Sequence, residues 1–529
     1  MKKFKTLLTK PILATLITFG AISCEDGIDG IEGKEGKQGV IGATGNNGSD
    51  GTDGDDLTSK PNKTFKDFSV TNALIKTLPD FENVEISTLI SSTDVLPAST
   101  PINGRANFQL AGSADGAGFL KEGDGFIYVV NCEDSYGVAR IRLGKDLKPI
   151  SGDYLLNSGV ADFARQCSAT MWEKEIHGGD SDLFLSASES INNVVKGIDP
   201  HIVTPTPTAD FGLDALGQFS WENATPLPKG TYSGKTVIIG GDDDSSGSEG
   251  QVVMYLSESG DADLTGGKIY VLRTKQISDD SGLITDAVIS TQYNESNLDF
   301  GKQYDVEFVE ITDGKNLTKS EMETACNDIF ATQFMRVEDV DYQKGADDNG
   351  RNVFFAVTGR GPGRSTYNDW GTVYKLTLNA TNPLQGKLTQ IISGNTDTNK
   401  KDGNAPLLQS PDNICVTENF IYTQEDPNSD ARDHTAYIYQ SNLNGENIKP
   451  VFEFLLDSDL APKGTPKRDA EYGALIDVSD KIGVSDTFIL ALQPHYWKND
   501  RFKELDGHFN TSRENDQASQ IVILKGLPR

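Results

Sequence analysis

The chain has 529 residues and a formal net charge of −30, from 78 Asp and Glu against 48 Lys and Arg. This acidic balance argues against nucleic acid as a partner, because phosphate backbones attract basic surfaces. Hydrophobic residues make up 36% of the chain, including 24 Phe and 16 Tyr, which excludes an entirely disordered acidic protein. The excess carboxylates serve either as solubilising surface charge or as ligands of hard cations.

The first residues resemble an export signal. Lysines precede an apolar run from Pro11 to Ile22, which is too short to span a bilayer comfortably. The sequence before Cys24 resembles a bacterial lipoprotein cleavage box, and Glu25-Asp26 resembles the surface-export tag of Bacteroidetes lipoproteins. We therefore expect a signal peptide over residues 1–23, lipidation of Cys24, and anchoring in the outer membrane with the protein exposed at the cell surface. An ordinary secretory peptide is the alternative.

Residues 24–69 are expected to form an acidic tether. Glycine occupies every third position from Gly27 to Asp56, a period typical of collagen. This tract contains no proline, so it lacks the preorganisation that stabilises a triple helix. A flexible tether is the favoured interpretation, and a trimer formed through the collagen-like tract is the alternative.

Residues 70–529 are predicted to be an all-β body. Short strand-like runs recur between Gly, Asp and Asn turns, and one short helix is expected around Lys319 to Cys326. So many strands exceed a single sandwich and favour a β-propeller with loop insertions; a pair of stacked sandwiches is the alternative. The runs are GFIYVVN, ARIRL, DLFLSAS, KTVIIGG, QVVMYLS, GKIYVL, NVFFAVTG, GTVYKLTL, NFIYTQE, TAYIYQSN, TFILALQ and QIVIL.

The segment SPDNICVTENFIYTQEDP (410–427) predicts a hairpin with acidic ends. Its two apolar runs read as strands, and Glu418-Asn419 reads as the turn between them. The outer ends of such a hairpin lie side by side, which gathers carboxylate and amide oxygens at one place. Turn formation alone is the competing explanation of these residues.

Besides Cys24 the chain has Cys132, Cys167, Cys326 and Cys415. Their spacing predicts no disulfide framework, although two disulfides are possible in an exported protein. Cys415 alternates into an apolar strand and is expected in the core. Cys132 and Cys167 lie among polar residues, which leaves a metal-thiolate role open.

A series of motifs in chain order resembles the PhoX-type alkaline phosphatase family and its unassigned relatives. They run from Phe163 to Tyr496 as FARQCSAT, DLFLSASES, LGQFSWENATPLPKGTYSGKTVIIGGDDDSSGSEGQVVMYL, LTGGKIYVL, FMRVEDVDY, NVFFAVTGRG, GTVYKLTL, SPDNICV, YTQEDP, DAEYGALIDVSD and TFILALQPHY. The resemblance implies a six-bladed propeller that holds calcium and iron at its axis and hydrolyses phosphate monoesters.

The resemblance also implies metal ligands near the ends of the inner strands. Cys167 falls on an iron-binding cysteine of the phosphatases, and Asp469 is a further candidate. The carboxylate and amide positions carried over are Glu222, Glu338, Asp339, Asp412, Asn413, Glu425, Asp426 and Glu471.

Two departures weaken the inferred activity more than the inferred fold. Relatives tend to have a His-Glu pair after an early strand, whereas this chain has Cys132 and keeps Glu133. Where the family often has two glutamates after the cysteine segment, this chain keeps only Glu189, after Ser188.

Catalytic candidates are fewer. Arg360 and Arg364 lie in the glycine-rich GRGPGR, where backbone can approach an anion, although surface arginines without function are common. His495, like Gln493, matches a family position near the axis. The run Asp242–Asp244 with Glu249 suggests either surface calcium or a solvated turn.

Three functions follow. The first is a surface-anchored, metal-dependent phosphomonoesterase using calcium, with iron as a possible second metal. The second is a non-catalytic calcium-binding propeller that binds a ligand for an outer-membrane uptake system, which the two departures favour. The third is a structural adhesin, against which the absence of proline in the triplets counts.

Overall fold

Runs of β-branched and aromatic residues bounded by turn-forming residues build antiparallel strands throughout the computed structural model. The structure describes residues 64–160, 165–189, 194–244, 250–278, 284–286, 294–362, 364, 368–395, 403–427, 432–456, 460–461, 463–509 and 515–529. The expected signal peptide, Cys24, the glycine tract and Glu249 lie outside these residues. All described residues belong to the unit Lys60–Arg529.

The strands of the first third are β1 (Ile75–Thr77), β2 (Glu85–Ser91), β3 (Leu96–Ile102), β4 (Arg105–Phe108), β5 (Ala114–Glu122), β6 (Gly125–Cys132), β7 (Gly137–Leu143), β8 (Pro149–Leu156), β9 (Ala169–Trp172), β10 (Leu183–Ser186) and β11 (Lys196–Ile198). The middle third contains β12 (Trp221–Pro226), β13 (Thr236–Asp242), β14 (Val252–Ser257), β15 (Lys268–Thr274), β16 (Gln276–Ser278), β17 (Ile284–Asp286), β18 (Gln303–Glu310), β19 (Val337–Tyr342), β20 (Asn352–Val357), β21 (Thr372–Leu378) and β22 (Gln385–Ser393). The last third contains β23 (Pro411–Val416), β24 (Phe420–Glu425), β25 (Tyr437–Asn442), β26 (Lys449–Phe454), β27 (Glu471–Asp477), β28 (Thr487–Gln493) and β29 (Gln520–Lys525).

Helices are short. They are α1 (Lys174–His177), α2 (Lys319–Asp328) and α3 (Ser479–Ile482). The helix expected near Lys319 is confirmed as α2, and Thr318 and Glu321 form a capping box at its start. Within the described part of the chain, no helix has the length and apolar character needed to cross a membrane.

Four sheets are arranged as propeller-like blades. Their strand orders are β4-β3-β8-β7-β6-β5, β11-β10-β9, β1-β26-β25-β24-β23 and β2-β29-β28-β27. Early strands complete two late sheets, since β1 pairs with β26 and β2 pairs with β29. The ring is therefore closed by strands from both ends of the body.

The middle third forms one nine-stranded sheet with the order β12-β13-β14-β15-β18-β22-β21-β20-β19. Its first strands, β12 and β13, also contact its last strand, β19, so the sheet curls into a nearly closed barrel. The expectation of six separate blades is therefore wrong. The physical reason is β18, which pairs with both β15 and β22 and so joins the two halves of this sheet.

The inner strands nevertheless form a ring. Strands β5, β9, β12, β19, β23 and β27 contact one another in this order, and β27 contacts β5. Each is the first strand of an antiparallel hairpin with the strand β6, β10, β13, β20, β24 or β28. Because the strands of a hairpin run in opposite directions, the start of the inner strand and the end of its partner lie at the same end of the ring.

Apolar side chains fill the space between the sheets in several buried clusters. Cys132 and Cys415 lie in the cluster between the first and last sheets. Cys326 belongs to α2 and lies on its buried face. Cys132, Cys167, Cys326 and Cys415 are all free and buried, so these four form no disulfides.

Candidate metal centre

The same backbone arrangement recurs at the start of each inner strand. Near the start of the strand, a backbone carbonyl oxygen accepts a hydrogen bond from the backbone N–H of a residue just after the partner strand. We call the residue two positions after this acceptor the cavity-side residue. The donor and acceptor residues, with N···O distances, are Glu133 and Ser113 (2.8 Å), Glu189 and Arg165 (3.3 Å), Asp243 and Ser220 (2.8 Å), Thr358 and Arg336 (3.0 Å), Asp426 and Ser410 (3.0 Å), and Tyr496 and Asp469 (3.2 Å).

This repeat places six side chains at equivalent points of the ring. Two positions after the acceptors come Asp115, Cys167, Glu222, Glu338, Asp412 and Glu471. Five of these are carboxylates and one is a thiol, so the fold gathers them at one end of the axis. No sequence periodicity reveals the repeat, because its spacing is set by strands and loops of unequal length.

Local irregularity aims these side chains inward. The pairing register shifts inside β5, β12, β19 and β23 across the stretch that contains the cavity-side residue, and a β-bulge of this kind redirects side chains. Four acceptor residues also have a left-handed backbone, which is uncommon for residues other than glycine. They are Ser113 (φ 57°), Arg165 (φ 56°), Arg336 (φ 69°) and Ser410 (φ 41°).

The ring end opens into a cavity of about 600 Å³. Its wall includes Cys167, His495 and an unusual number of carboxylates. These carboxylates are Asp115, Glu133, Asp134, Glu189, Glu222, Asp412, Asp426, Asp469 and Glu471.

Four groups of side chains bring their ligand atoms close enough to hold a metal ion, with the atoms of each group within 4.8 Å of one another. Three of these groups are linked by the shared residues Cys167 and Glu222, whereas the group that contains His495 shares no member with them. All four groups contribute residues to the cavity wall, and we call them together the cluster. The groups are Asp115, Glu133 and Cys167; Cys167, Glu189 and Glu222; Glu222, Glu338 and Asp412; and Asp426, Glu471 and His495.

The all-carboxylate group fits a hard cation such as calcium. Glu222 Oε2 and Glu338 Oε1 are buried and accept no hydrogen bond, although Glu338 Oε1 lies 3.0 Å from Arg336 Nη2. Buried carboxylate oxygens without donors are costly. A cation bound between Glu222, Glu338 and Asp412 would remove that cost, and oxygen-only ligands suit calcium.

The Cys167 groups suit a transition metal. Cys167 Sγ donates to Glu189 Oε1 at 3.0 Å, and burial, followed by the nearby Glu189 and Glu222 charges, raises the pKa of the thiol well above its usual value. A metal ion would reverse that effect, because its charge stabilises the thiolate. A sulfur ligand combined with carboxylates favours iron over calcium.

Burial also raises the pKa values of the cavity carboxyl groups. The effect is strong for Asp115, Glu222, Asp412 and Glu471, and neighbouring carboxylates add to it. In the metal-free protein these groups therefore hold protons more tightly than exposed carboxyls do. Cation binding would displace those protons.

Two arginines in the cavity wall were missed by sequence reasoning. Arg165 Nη1 lies 2.6 Å from Glu189 Oε2. Arg336 donates to both carboxylate oxygens of Asp243 at 2.7 and 2.8 Å. Both precede cavity-side residues by two positions, within motifs used for the family resemblance, but a lone arginine before a strand gives no signal by itself.

His495 lies beside the cluster. Its Nε2 is 3.1 Å from Glu471 Oε2, and its Nδ1 is 2.6 Å from Gln517 Oε1. Gln493 donates to the other oxygen of Glu471 at 2.7 Å. The imidazole is thus fixed between two partners and is part of the cavity wall.

Of the hairpin predicted from residues 410–427, the pairing of β23 with β24 is confirmed, but its polar ends divide into two roles. Asp412 and Asp426 face the cavity. Asn413 instead donates to Asp115 at 3.0 Å and accepts from Ser168 at 2.7 Å. Glu425 is buried against His434 Nε2 at 3.1 Å and accepts from the Tyr437 backbone at 2.8 Å.

Asp339 also lies away from the cluster. It accepts hydrogen bonds from the backbone of Ile414 at 3.0 Å and Val340 at 2.7 Å, and from Asn223. Burial raises its pKa to about 7. Asp339, Asn413 and Glu425 thus brace the inner strands in this structure and are not placed as ligands.

The glycine-loop arginines lie elsewhere. Arg360 and Arg364 are exposed, and neither belongs to the cavity wall. In the acidic run, Asp242 and Asp244 bind the buried Lys319 ammonium at 2.8 and 3.0 Å, while Asp243 binds Arg336. The three carboxylates are therefore paired with a lysine and an arginine and do not form a solvated turn.

Sequence reasoning also missed Asp115. It lies at the start of β5, in ADGAGFLKE, which lacks both a clean apolar run and a recognised motif. Only its position in the repeat described above identifies it.

Comparison with known proteins supports the fold. No protein-family model matches the chain, and no curated protein matches it. The solved structure of Pseudomonas fluorescens PhoX, in complex with the transition-state analogue vanadate, is similar with a TM-score of 0.58 and 13% identity, covering 87% of this chain and 98% of that chain. The catalytic domain of a Coprinopsis cinerea GH62 alpha-L-arabinofuranosidase matches with a TM-score of 0.30 and 10% identity over 70% of this chain and 98% of that chain. The chain is thus a propeller-like all-β protein that shares its fold with PhoX.

Proposed function

We propose that the chain is a metal-dependent phosphomonoesterase. The observation that carries the proposal is the group Glu222, Glu338 and Asp412, whose buried oxygens lie within 4.8 Å of one another at the axial cavity. A bound cation would stabilise the ionised form of carboxylates this close and this buried. The fold shared with PhoX, whose solved structure is a complex with the transition-state analogue vanadate, supports phosphate esters as the substrate class.

Calcium would be held by Glu222, Glu338 and Asp412, and iron by Cys167 either with Glu189 and Glu222 or with Asp115 and Glu133. Bound metals would supply charge neutralisation for the phosphoryl oxygens and an activated oxygen nucleophile. Asp115 and Asp426 are further candidate ligands, because Asp115 is grouped with Cys167 and Asp426 is grouped with Glu471.

The chain's own cations would complete the phosphate site. The Arg165 side chain is 52% exposed and lies in the cavity wall, so its guanidinium can turn from Glu189 to a phosphoryl oxygen. Arg336 is held rigidly by Asp243 and presents its charge beside Glu338. His495, fixed by Glu471 and Gln517, is positioned to give a proton to the leaving alcohol.

The test is elemental analysis of the body, residues 70–529, purified without chelator, together with turnover of p-nitrophenyl phosphate. Calcium with iron, and turnover that a chelator abolishes, would support the proposal. Calcium alone without turnover would instead support a non-catalytic binding propeller. That second candidate is favoured by Cys132, which stands where relatives tend to have histidine and is buried in the core rather than in the cavity wall.

The location of the protein is a separate proposal from the sequence. A signal peptide over residues 1–23, lipidation of Cys24, and a tether over residues 24–69 would hold the propeller at the outer surface of the outer membrane. Metabolic labelling with a palmitate analogue, compared between the wild-type chain and Cys24→Ala, tests this. Labelling that survives in the variant would contradict it.

A further inference from the structure

Basic side chains surround the mouth of the acidic cavity. Lys463, Arg468 and Lys498 belong to the cavity wall together with the nine carboxylates, and all three are exposed. The chain as a whole carries a net charge of −30. Such a negative field repels an anionic substrate. A local group of cations at the cavity entrance would reduce that repulsion.

Two of these cations come from the loop between β26 and β27. Lys463 makes no ion pair with another described residue, whereas Lys467 in the same loop is bound to the Asp433 carboxylate at 2.6 Å and to its carbonyl oxygen at 2.8 Å. Lys467 is not part of the cavity wall. The loop thus points Lys463 and Arg468 toward the cavity and Lys467 away from it.

The mouth beside this loop has room for a ligand. Gly464 belongs to the cavity wall, and a side-chain carbon added at this residue would meet no atom within 4 Å. The metal-binding carboxylates lie deeper, at the ends of the inner strands. A phosphoryl group held by metals at that depth would leave the rest of its ester beside the basic residues.

We propose that Lys463, Arg468 and Lys498 select phosphomonoesters whose alcohol portion carries a second anionic group. This inference rests on the proposed function and adds to it the substrate class. The metals and Arg165 neutralise the scissile phosphoryl group, while the mouth cations pair with the second anion. A neutral alcohol portion gains nothing from these charges.

The experiment compares 4-carboxyphenyl phosphate with phenyl phosphate on the metal-loaded protein, as the ratio of their kcat/KM values at low salt. Lys463→Met is the test variant, and Lys467→Met is the matched control from the same loop. We expect Lys463→Met to lower the ratio about threefold to fivefold, as for loss of one exposed ion pair. Lys463→Glu should lower it further, and added salt should lower it in the wild type.

The outcomes separate the two proposals. A ratio that falls in Lys463→Met but not in Lys467→Met supports the inference. Turnover of both substrates with the same ratio in all variants overturns the inference and leaves the proposed function standing. Failure of the metal-loaded wild type to hydrolyse either substrate overturns the proposed function and this inference together.

Discussion

Residues 338 and 339 are neighbours with opposite environments, because consecutive side chains of a strand point to opposite faces. Glu338 lies with Glu222 and Asp412 in one of the candidate metal groups. Asp339 accepts backbone hydrogen bonds from Ile414 and Val340. A pair of adjacent carboxylates thus offers a matched test of which one binds metal.

We predict that Glu338→Gln loses bound metal and activity but stays folded, since it removes a charge that the metal needs. Asp339→Asn should keep the metal content and lose about 1–3 kcal/mol of stability, because it places an amide donor against backbone donors. Elemental analysis and thermal unfolding with and without EDTA distinguish the two. Equal metal content in wild type and Glu338→Gln would rule out the axial cluster.

A second prediction concerns Cys167. Replacement by serine removes the only sulfur ligand of the cluster within the described residues, so iron content should fall at least tenfold while calcium is retained. Cys132→Ser is the control, because Cys132 is buried in the apolar core and is not a cavity residue. Iron that stays bound in Cys167→Ser would show that carboxylates alone hold it.

At the scale of elements, glycines set the distance between inner strands. A Cβ built at Gly116 in β5 would lie 2.2 Å from the backbone nitrogen of Ala169 and 2.5 Å from the Cys167 carbonyl oxygen. At Gly137 in β7 the nearest atom would be 3.4 Å away. The first contact is impossible without movement of backbone, and the second is ordinary.

We therefore predict that Gly116→Ala pushes β5 from β9, costs about 1–3 kcal/mol of stability, and reduces metal binding by the Asp115, Glu133 and Cys167 group. Gly137→Ala should change stability and metal binding by less than half as much as Gly116→Ala does. Chemical denaturation and metal stoichiometry measure both. Unchanged metal binding in Gly116→Ala would show that this strand spacing does not matter for the cluster.

The sequence predicted the outer strands better than the inner ones. Runs such as GFIYVVN and TFILALQ lie in β6 and β28, which are buried over almost their whole length and have apolar centres. The inner strands VEDVDY and ADGAGFLKE each have an acidic residue at the second position, Glu338 and Asp115, and this residue belongs to one of the candidate metal groups. The acidic residues that make these strands candidates for metal binding are thus the same residues that interrupt the apolar pattern by which a strand is predicted from sequence.

For the site, motif resemblance located Glu222, Glu338, Asp412, Glu471 and His495, all of which the structure brings to the cluster. It did not distinguish Asp412 from Asn413, where the register shifts between Pro411 and Ile414, or Asp426 from Glu425, where β24 ends. Arg165, Arg336 and Asp115 needed the three-dimensional repeat.

At the scale of the whole molecule, the clustered carboxylates couple stability to pH. Burial raises their pKa values above those of the unfolded chain, so the folded, metal-free protein binds protons more tightly. Their contribution to stability is complete below the unfolded pKa near 4 and is lost as pH rises through the raised values. Each tenfold difference in a group's proton affinity between the folded and unfolded chain corresponds to about 1.4 kcal/mol.

We predict that the unfolding temperature measured in EDTA falls between pH 5 and pH 8, and that calcium restores it with an effect that grows with pH. Glu222→Gln together with Glu338→Gln should flatten the fall in EDTA. Differential scanning calorimetry across this range is the measurement. A metal-free protein whose stability rises with pH would contradict the cluster of buried acids.

The pairing of β2 with β29 has a consequence for how the protein is made. Glu471 and His495 come from the hairpin that is synthesised last, and that sheet is complete only when β29 has emerged to meet β2. A growing chain therefore carries most of the ligands but no finished ring. A candidate site that includes Glu471 and His495 is complete only after this hairpin has folded with β29, so an ion bound there would be taken up in the compartment where that folding occurs.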